Sequence, residues 1–313
     1  TAWHWNKKHW IEIHFETDVQ DEIVLQLIDE SYELVASKLP KKKLVTFPEI
    51  PQGWHYHHLF TTDTIMNFLQ DTSCESTAAN DISDTKDFVL VTADHQTAGR
   101  GQRDHHWEDE DGANLLVGIK MRNLNIPVSW HFKLTQIFSI AITDALRTYL
   151  GNRVKIKWPN DIYFGDKKLV GILIENSLVG GYVGYSIAGI GVNVNQTKWL
   201  SNAPNPISMK EITNQEEDVE TLMNEWIDAM KKWEQCTTDE LSTTYLQHIY
   251  RRNGWHKYVE REVSVAPTSI AKQGIDGIFR AELVGISEQG ELILRKENNE
   301  EQAYHFKQIR FVI

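Results

Sequence analysis

Hydrophobic positions recur with two different periods along the chain, and each period predicts a different kind of element. Apolar runs of strand length, many flanked by glycine, lie at 55–60, 88–93, 114–121, 153–157, 169–175 and 182–194. Apolar positions three to four residues apart predict helices at 62–71, 129–150 and 218–235. Because strands and helices mix without strict alternation, we expect an α+β fold in which a mixed β-sheet carries helices on one face.

The end of the chain has short alternating segments. From about residue 274, "GIFRAELVGIS", "ELILRKE" and "AYHFKQIRFVI" alternate apolar and polar positions, with "EQG" and "NNEEQ" between them. This pattern is typical of antiparallel strands joined by tight turns. We therefore expect a small C-terminal β-barrel or open sheet, and three domains with the bounds 1–53, 54–260 and 261–313.

Residues 1–53 have a different pattern from the rest. "NKKHWIEIHF" predicts a strand, "DVQDEIVLQLIDESYELVASKL" an amphipathic helix, and "PKKKLVTFPEIPQG" a linker. A strand and one helix bury too little surface for a core, so we expect this segment to pack on something else or to be part of a larger domain. Because the chain begins with Thr1 rather than methionine, we expect a fragment or a processed product.

Charge and composition disfavour several classes of protein. The 313 residues include 44 acidic and 32 basic side chains, a net charge of −12. Nucleic-acid coating needs basic surface, so we expect no nucleic-acid partner. The two cysteines lack metal-ligand spacing, and a reducing cytoplasm is the expected compartment. No signal segment opens the chain and no run approaches the roughly 18 apolar residues of a membrane helix, so we expect no membrane partner.

The stretch "HQTAGRGQRDHHW" at 95–107 is the first candidate for chemistry, and it follows the apolar run "DFVLVTAD". Gly99 and Gly101 permit backbone angles and a close approach that other residues forbid. Arg100 and Arg103 offer planar guanidinium groups that suit phosphate or carboxylate oxygens. The loop therefore suits an anionic ligand such as a nucleotide phosphate. A solvated surface loop with incidental arginines is the alternative.

The second candidate, "RVKIKWPNDIYFGDKKLVGILIE" at 153–175, predicts a hairpin. Val154 and Ile156 alternate with lysines, and a Pro-Asn-Asp turn follows. Lys157 therefore ends a strand beside a tight turn, where a fixed ammonium can meet developing phosphate and acyl charge. An exposed lysine on a plain hairpin is the alternative. Gly171 inside an apolar strand indicates close approach by a ligand or another backbone.

The third candidate is "YSIAGIGVNVNQ" at 185–196. Gly189 and Gly191 interrupt an apolar strand, which again indicates a close approach. The side chains of Asn193 and Asn195 could bond a purine or a ribose. A strand with a bulge explains the same pattern equally well.

Taken together, the three segments resemble the biotin protein ligase family over roughly 55–313. The resemblance rests on "QTAGRGQR…W" followed by "GANLL", then "KWPNDIYFGDKKLVGILIE", "GIGVNVN", "NPISMKEIT" and "YHFKQIRFVI", in the family's order and spacing. It implies a two-step ligation that uses ATP, biotin and Mg²⁺. The carboxylate of biotin attacks the α-phosphate of ATP, which gives biotinyl-AMP and pyrophosphate. A lysine of a biotin carboxyl carrier protein domain, usually that of acetyl-CoA carboxylase, then takes the biotin and releases AMP.

The resemblance also implies roles for individual residues. The catalytic residues that the resemblance implies are Lys157, Arg100 and Arg103. Arg100 and Arg103 would hold phosphate charge, and Lys157 would stabilise the pentavalent α-phosphate. The substrate-binding group comprises Thr64, Gln96, Gly99, Gly101, Gln102, Trp107, Lys157, Gly171 and Asn193. Gln96 and Gly171 would line the biotin pocket. Trp107 would stack on the adenine side, and Asn193 would lie near the nucleotide. Asp161 would position the lysine or assist the incoming one, and no metal ligand is assigned.

The sequence departs from the family pattern at the first helix and in the glycine-rich loop. Thr64 keeps one hydroxyl, but Ile65 and Met66 replace the polar pair that usually follows and bonds biotin. Gln102 stands where many members have arginine, and Asp104 where many have glycine. These departures leave open a degenerate, non-catalytic protein that binds biotin or a carrier domain. A lipoate or octanoyl ligase relative, which would share the fold, is the other alternative, although "KWPND" and the C-terminal barrel favour biotin.

Some family members carry an N-terminal winged-helix domain and repress biotin synthesis. Residues 1–53 lack a helix-turn-helix pattern and instead resemble about half of an MmcQ/YjbR domain, which has a CyaY-like fold. The expectation is therefore a ligase that is not a repressor. Family members often dimerise through the edge of the central sheet, so a homodimer is an open alternative.

Overall fold

The computed structural model of the protein describes Ser31 and residues 48–71, 87–102, 105–201, 203, 205–261 and 277–313. The chain separates into two units, Thr1–Phe47 and Pro48–Ile313, and the second unit holds everything described below. The resemblance of the first segment to an MmcQ/YjbR domain lies almost wholly outside the described residues, as do the side chains of Arg103 and Asp104.

The larger layer is a seven-stranded mixed sheet in the order β1-β2-β3-β7-β6-β5-β4. Its strands are β1 Trp54–Thr62, β2 Asp87–Gln96, β3 Leu115–Arg122, β4 Val154–Lys157, β5 Asp161–Phe164, β6 Lys167–Val179 and β7 Tyr182–Val192. Strands β1 and β2 run parallel, and the other described neighbours run antiparallel. Each apolar run predicted as a strand is one, and the predicted hairpin is β4–β5.

Five α-helices accompany this sheet in the described part of the chain: α1 Ile65–Gln70, α2 Phe132–Leu150, α3 Met209–Thr213, α4 Val219–Glu234 and α5 Thr238–His248. Two 3₁₀ turns, Val128–Trp130 and Gly151–Arg153, flank α2. None of the described helices combines the length and apolar character that crossing a membrane requires. The three helices predicted from the periodicity are α1, α2 and α4, each slightly shorter than expected.

Alternation along β2 divides the core between the two faces of the sheet. Phe88 and Leu90 pack in the large cluster that includes the buried residues of α2, α4 and α5. Val89 and Val91 pack in a smaller cluster with α1. Because successive side chains of a strand point to opposite faces, the longer helices cover one face and α1 the other. The α+β class is confirmed, and the short α1 is the element that lies off the expected helical face.

The periodicity does not predict α3 and α5. In α5 the buried side chains are Leu241, Tyr245 and His248, about one in each turn, so the apolar stripe is too narrow to stand out. A capping box at Thr237 and Glu240 begins this helix. The capping box is present in the sequence as Thr-x-x-Glu, and this motif could have identified the start of the helix.

The C-terminal strands form a second, five-stranded antiparallel sheet in the order β11-β10-β9-β8-β12. Its strands are β8 Trp255–Glu260, β9 Ile278–Ile286, β10 Leu292–Lys296, β11 Glu301–Tyr304 and β12 Ile309–Phe311. This sheet begins before the expected domain boundary at 261. In β8 the buried residues Tyr258 and Val259 are adjacent, so the strand lacks the alternation that would have revealed it.

The C-terminal sheet attaches to the larger layer through its backbone carbonyl groups. Trp158 Nε1 donates to the carbonyl oxygen of Gly290 at 2.8 Å. Arg251 donates to the carbonyl oxygen of Val312 at 2.7 Å. Both sheets also contribute to one apolar cluster. The strand β12 is thereby held beside the end of β4, where Lys157 lies.

Candidate active site

A cavity of about 910 Å³ lies among β6, β7, the β4–β5 turn, the loop after β2 and the C-terminal sheet. Nine of the predicted site residues line it: Thr64, Gln96, Arg100, Gly101, Gln102, Trp107, Lys157, Gly171 and Asn193. The structure therefore brings these residues together. Gly99 does not line the cavity, and Arg103 lies outside the described residues.

The two described arms of the Gly-Arg-Gly loop, residues 97–102 and 105–109, lie side by side as a narrow hairpin. Gly101 donates to the carbonyl oxygen of His105 at 2.7 Å, and Trp107 donates to the carbonyl oxygen of Gly99 at 2.9 Å. A Cβ on Gly99 would lie 2.5 Å from the Trp107 carbonyl oxygen, and one on Gly101 would lie 2.9 Å from that of His105. Neither glycine has a positive φ. The glycines are therefore needed because the two arms of the hairpin approach closely.

Arg100 anchors this loop to the sheet and to α1. Its guanidinium group forms an ion pair with Glu175 at 2.9 Å and donates to Asn67 Oδ1 at 3.3 Å. Gln70 donates to the other carboxylate oxygen of Glu175. The side chain predicted to hold phosphate thus already has an acidic partner. Its phosphate contact stays a prediction, and the phosphate would have to share the guanidinium group with Glu175 or displace it.

Glu108 ties the loop to a second segment of the cavity wall. Its two carboxylate oxygens accept hydrogen bonds from the backbone N–H groups of Leu200 and Ser201, at 2.5 and 2.7 Å. Trp199, which precedes them, also lines the cavity. Desolvation raises the pKa of Glu108, but hydrogen bonds from Ser201 and Leu200 outweigh it and hold that pKa below its usual value. The carboxylate of Glu108 is therefore in its charged form when it accepts these hydrogen bonds.

Replacing Glu108 with alanine should release the segment that carries Trp199. The amides of Leu200 and Ser201 lose their acceptor, so we expect their hydrogen exchange to become about tenfold faster or more. Hydrogen exchange measured by NMR tests this, with Glu110→Ala as the matched control, because Glu110 is exposed. Equal exchange rates in the Glu108 variant and the unmodified protein would show that these hydrogen bonds do not hold the segment.

The end of β2 is fixed to α1 by polar contacts. Asp109 accepts from the Gln96 backbone at 3.3 Å and contacts His95 Nδ1 at 2.8 Å. Burial raises the pKa of Asp109, and the contact with His95 opposes that rise. Gln96 Oε1 in turn accepts from the backbone N–H of Ile65 at 2.8 Å. Gln96 therefore reaches the cavity with its amide oxygen already engaged at the start of α1.

Ile65 and Met66, the two apolar residues of α1 that depart from the family pattern, pack against glycines on neighbouring strands. Thr64 is the N-cap of the helix, and Ile65 and Met66 are 3% and 2% exposed. A Cβ on Gly118 would collide with Ile65, and a Cβ on Gly189 would lie 2.9 Å from Met66 Sδ. The two side chains fill space that the glycines leave open. They are core residues, and both also form part of the cavity wall.

Trp107 makes the close approach that the strand glycines predict. A Cβ on Gly171 would lie 2.7 Å from its ring, and a Cβ on Gly191 would collide with the same ring. The indole also packs against the cluster around α1. Its Nε1 is buried and has no hydrogen-bond partner among the described residues. Trp107 therefore belongs to the glycine-lined wall, and its stacking on adenine stays a prediction.

Lys157 lies in the cavity wall without a described carboxylate partner. Its Nζ donates to the hydroxyl of Tyr163 at 2.9 Å. Asp161, expected to position this lysine or to assist the incoming one, forms its ion pair with Lys168 at 2.8 Å. Burial lowers the pKa of Lys157, Asp161 opposes that change, and Lys168 and Arg251 add to it. With no carboxylate partner among the described residues, the ammonium form of Lys157 can contact an anionic ligand in the cavity.

Asn193 joins the end of β7 to the following segment. Its Nδ2 donates to the carbonyl oxygen of Ile207 at 3.1 Å, while its Oδ1 is buried without a described partner. Asn193 lines the cavity, and its Oδ1 is an acceptor without a described partner. The sequence did not predict several further residues of the site, among them Glu108, Tyr163, Glu175 and Trp199. Glu108, Tyr163 and Glu175 are recognisable only through a partner far away in the chain or across a strand pair.

Known proteins resemble this chain in both sequence and fold. A model of the biotin/lipoate A/B protein ligase family matches residues 70–193. The biotin--[acetyl-CoA-carboxylase] ligase of Paracoccus denitrificans is 32% identical over 219 residues, which cover 66% of this chain and 83% of that relative. The chain belongs to the biotin protein ligase family. The resemblance inferred from the motifs is confirmed.

Longer relatives and solved structures extend the comparison. The bifunctional ligase/repressor BirA of Bacillus subtilis is 30% identical over 218 residues, or 68% of this chain and 62% of the relative. The chain thus spans slightly less than two thirds of that relative. The biotin protein ligase from Aquifex aeolicus, solved in complex with biotin and ATP, has a TM-score of 0.61 at 20% identity and covers 82% of this chain and 99% of its own. This likeness establishes the fold.

Proposed function

We propose that the protein is an ATP-dependent ligase that joins biotin, through biotinyl-AMP, to a lysine of a biotin carboxyl carrier protein. The observation that carries the proposal is the position of Lys157. Its ammonium group has no described carboxylate partner and lines the same cavity as Gly171 and Gly191. Membership of the family and the names of the relatives support the choice of biotin. The carrier domain would belong to acetyl-CoA carboxylase or a related carboxylase.

In the first step, a carboxylate oxygen of biotin bonds to the α-phosphorus of ATP, and the bond to the leaving pyrophosphate breaks. Lys157 would stabilise the negative charge that accumulates on the α-phosphate. Charged side chains of the C-terminal part, Arg261, Lys307 and Arg310, line the same cavity and would attract the polyphosphate. The hairpin anchored by Arg100 and Glu108 would exclude water from the reactive anhydride.

In the second step, the amine of the carrier lysine attacks the biotinyl carbonyl carbon. The bond to AMP breaks, the amine loses a proton, and an amide forms. Lys157 remains beside the phosphate that leaves with AMP, where its charge favours departure. The compartment, the domain bounds, the homodimer and the absence of a nucleic-acid partner stay predictions.

Magnesium is implied by membership of the family, and not by a set of metal ligands among the described residues. Among the described residues, no group of three or more His, Cys, Asp or Glu side chains is placed to hold a metal ion. The described carboxylates that line the cavity, Glu108 and Asp161, are engaged with backbone N–H groups and with Lys168. These side chains do not fit a dedicated magnesium site, so the proposal takes no step through a protein-bound ion.

Biotin-dependent exchange of labelled pyrophosphate into ATP tests the first step directly. We expect exchange that requires biotin and is not supported by lipoate. Exchange with lipoate alone would contradict the choice of biotin and favour the lipoate ligase alternative. Biotin binding by calorimetry without any exchange would favour the non-catalytic alternative. Transfer is tested next, by mass change of a purified carrier domain.

A further inference from the structure

Tyr163 and Lys157 lie on the same face of the β4–β5 hairpin. The antiparallel register pairs Lys157 with Asp161 and Lys155 with Tyr163. The side chains of residues two apart on a strand share a face, so Tyr163 is the diagonal neighbour of Lys157. This placement follows from the tight turn, which fixes the register of the two strands.

The phenol contacts the ammonium group in two ways. Lys157 Nζ donates to the Tyr163 hydroxyl at 2.9 Å, and it lies 4.5 Å from the centre of the Tyr163 ring. Tyr163 is 3% exposed, so its position is fixed by packing. An ammonium group has three N–H donors. With one donor directed at the phenol, two remain for a ligand in the cavity.

The surroundings of Lys157 otherwise disfavour its charge. Burial and the nearby cations Lys168 and Arg251 lower the pKa of Lys157, and Asp161 only partly opposes them. The charged side chains that line the cavity from the C-terminal part are Arg261, Lys307 and Arg310. Tyr163 stays neutral, because burial raises the pKa of its hydroxyl well above the usual value. A neutral phenol offers an acceptor lone pair without adding a negative charge that would compete for the ligand.

We infer that Tyr163 is a positioning residue, whose hydroxyl and ring hold the Lys157 ammonium group so that two N–H donors face the cavity. The inference deepens the proposed function and rests on it for the catalytic consequence. Its structural part concerns Lys157 alone. That part can therefore be tested in a protein that carries no substrate.

The variant Tyr163→Phe keeps the ring and removes the hydroxyl. We expect kcat of pyrophosphate exchange to fall about tenfold, the size expected for one hydrogen bond to a charged group, with little change of KM. The loss of an acceptor also disfavours the charged form, so the pKa of Lys157 should fall further. Because activity needs the ammonium form, the alkaline limb of the pH profile should move to lower pH.

The matched control is Tyr258→Phe. Tyr258 is also fully buried, and its hydroxyl has no described hydrogen-bond partner. The control should change neither kcat nor the alkaline limb. NMR titration of protein labelled at the lysine ε-carbon gives a readout without substrates, and the Lys157 signal is identified by its absence in Lys157→Ala.

The two readouts separate the inference from the proposed function. A Lys157 titration that is identical in Tyr163→Phe and in the unmodified protein would overturn the inference, whatever the activity. A shifted titration together with a lower kcat supports both. If the Lys157 titration shifts but the protein shows no biotin-dependent exchange, the positioning of Lys157 by Tyr163 is supported and the proposed ligase activity is rejected.

Discussion

Lys157→Ala should slow the adenylation half-reaction severely, with a loss of about 10²- to 10³-fold in kcat for biotin-dependent pyrophosphate exchange. The effect is large because the lost ammonium group acts on charge that develops in the transition state, inside a partly buried site. Biotin affinity should change much less, since biotin gains little from a charge that acts on phosphate. Steady-state exchange kinetics and calorimetry with biotin measure the two quantities separately.

Lys155→Ala is the matched control for this variant. Lys155 lies on the same strand and the same face as Lys157, and burial lowers its pKa also, but it does not line the cavity. The control should retain nearly full exchange activity. A similar loss in both variants would show that the strand is disturbed and that Lys157 has no special role. Full activity in Lys157→Ala would contradict the proposed mechanism.

The pH dependence offers a further check on the same group. The folded pKa of Lys157 is lowered chiefly by burial, so the ammonium form is lost at a lower pH than in an exposed lysine. Activity that depends on the cation should therefore decline as the pH rises through that lowered value. In Lys157→Arg the charge persists to higher pH, because a guanidinium group does not lose its proton in this range. Its residual activity should lack the alkaline decline.

The sequence predicts the strands and the turn around this site well, because these features depend on residues that are close together in the chain. The alternation around Val154 and Ile156 places Lys157 at a strand end beside a turn, and the hairpin has that form. Gly171 and Gly191 indicate a close approach, which the indole of Trp107 makes. These predictions succeed because strand period and the steric demand on glycine are encoded within a few residues.

The pattern of apolar and polar residues does not predict contacts between residues that are far apart in the chain. The bond from Leu200 to Glu108 joins positions separated by 92 residues, and the one from Arg100 to Glu175 joins positions separated by 75. Both depend on which loops meet at the sheet. The sequence therefore suggested a free phosphate-binding group at Arg100, whereas the fold supplies that group with an acidic partner.

The substitution Gly191→Ala should close the glycine-lined wall and weaken biotin binding by about 100-fold. A Cβ at this position would collide with the Trp107 ring, so the indole must move away from the strand. Gly191 and Trp107 both line the cavity, so displacement of the indole changes the shape of its wall. Overpacking of this kind costs about 1–3 kcal/mol of folding stability. Calorimetry with biotin and thermal unfolding measure the two effects.

Gly285→Ala is the matched control for overpacking. A Cβ on Gly285 would meet Ile293 only at 4.0 Å, an ordinary contact, and the residue has no positive φ. A second variant separates collision from a change in strand propensity. In Gly191→Ala combined with Trp107→Leu, the ring that collides is absent, so the double variant should be more stable than the sum of the two single changes predicts, while biotin affinity stays low. If the double variant is as unstable as the sum of the two single changes, the residues act independently, and Trp107 does not define this wall.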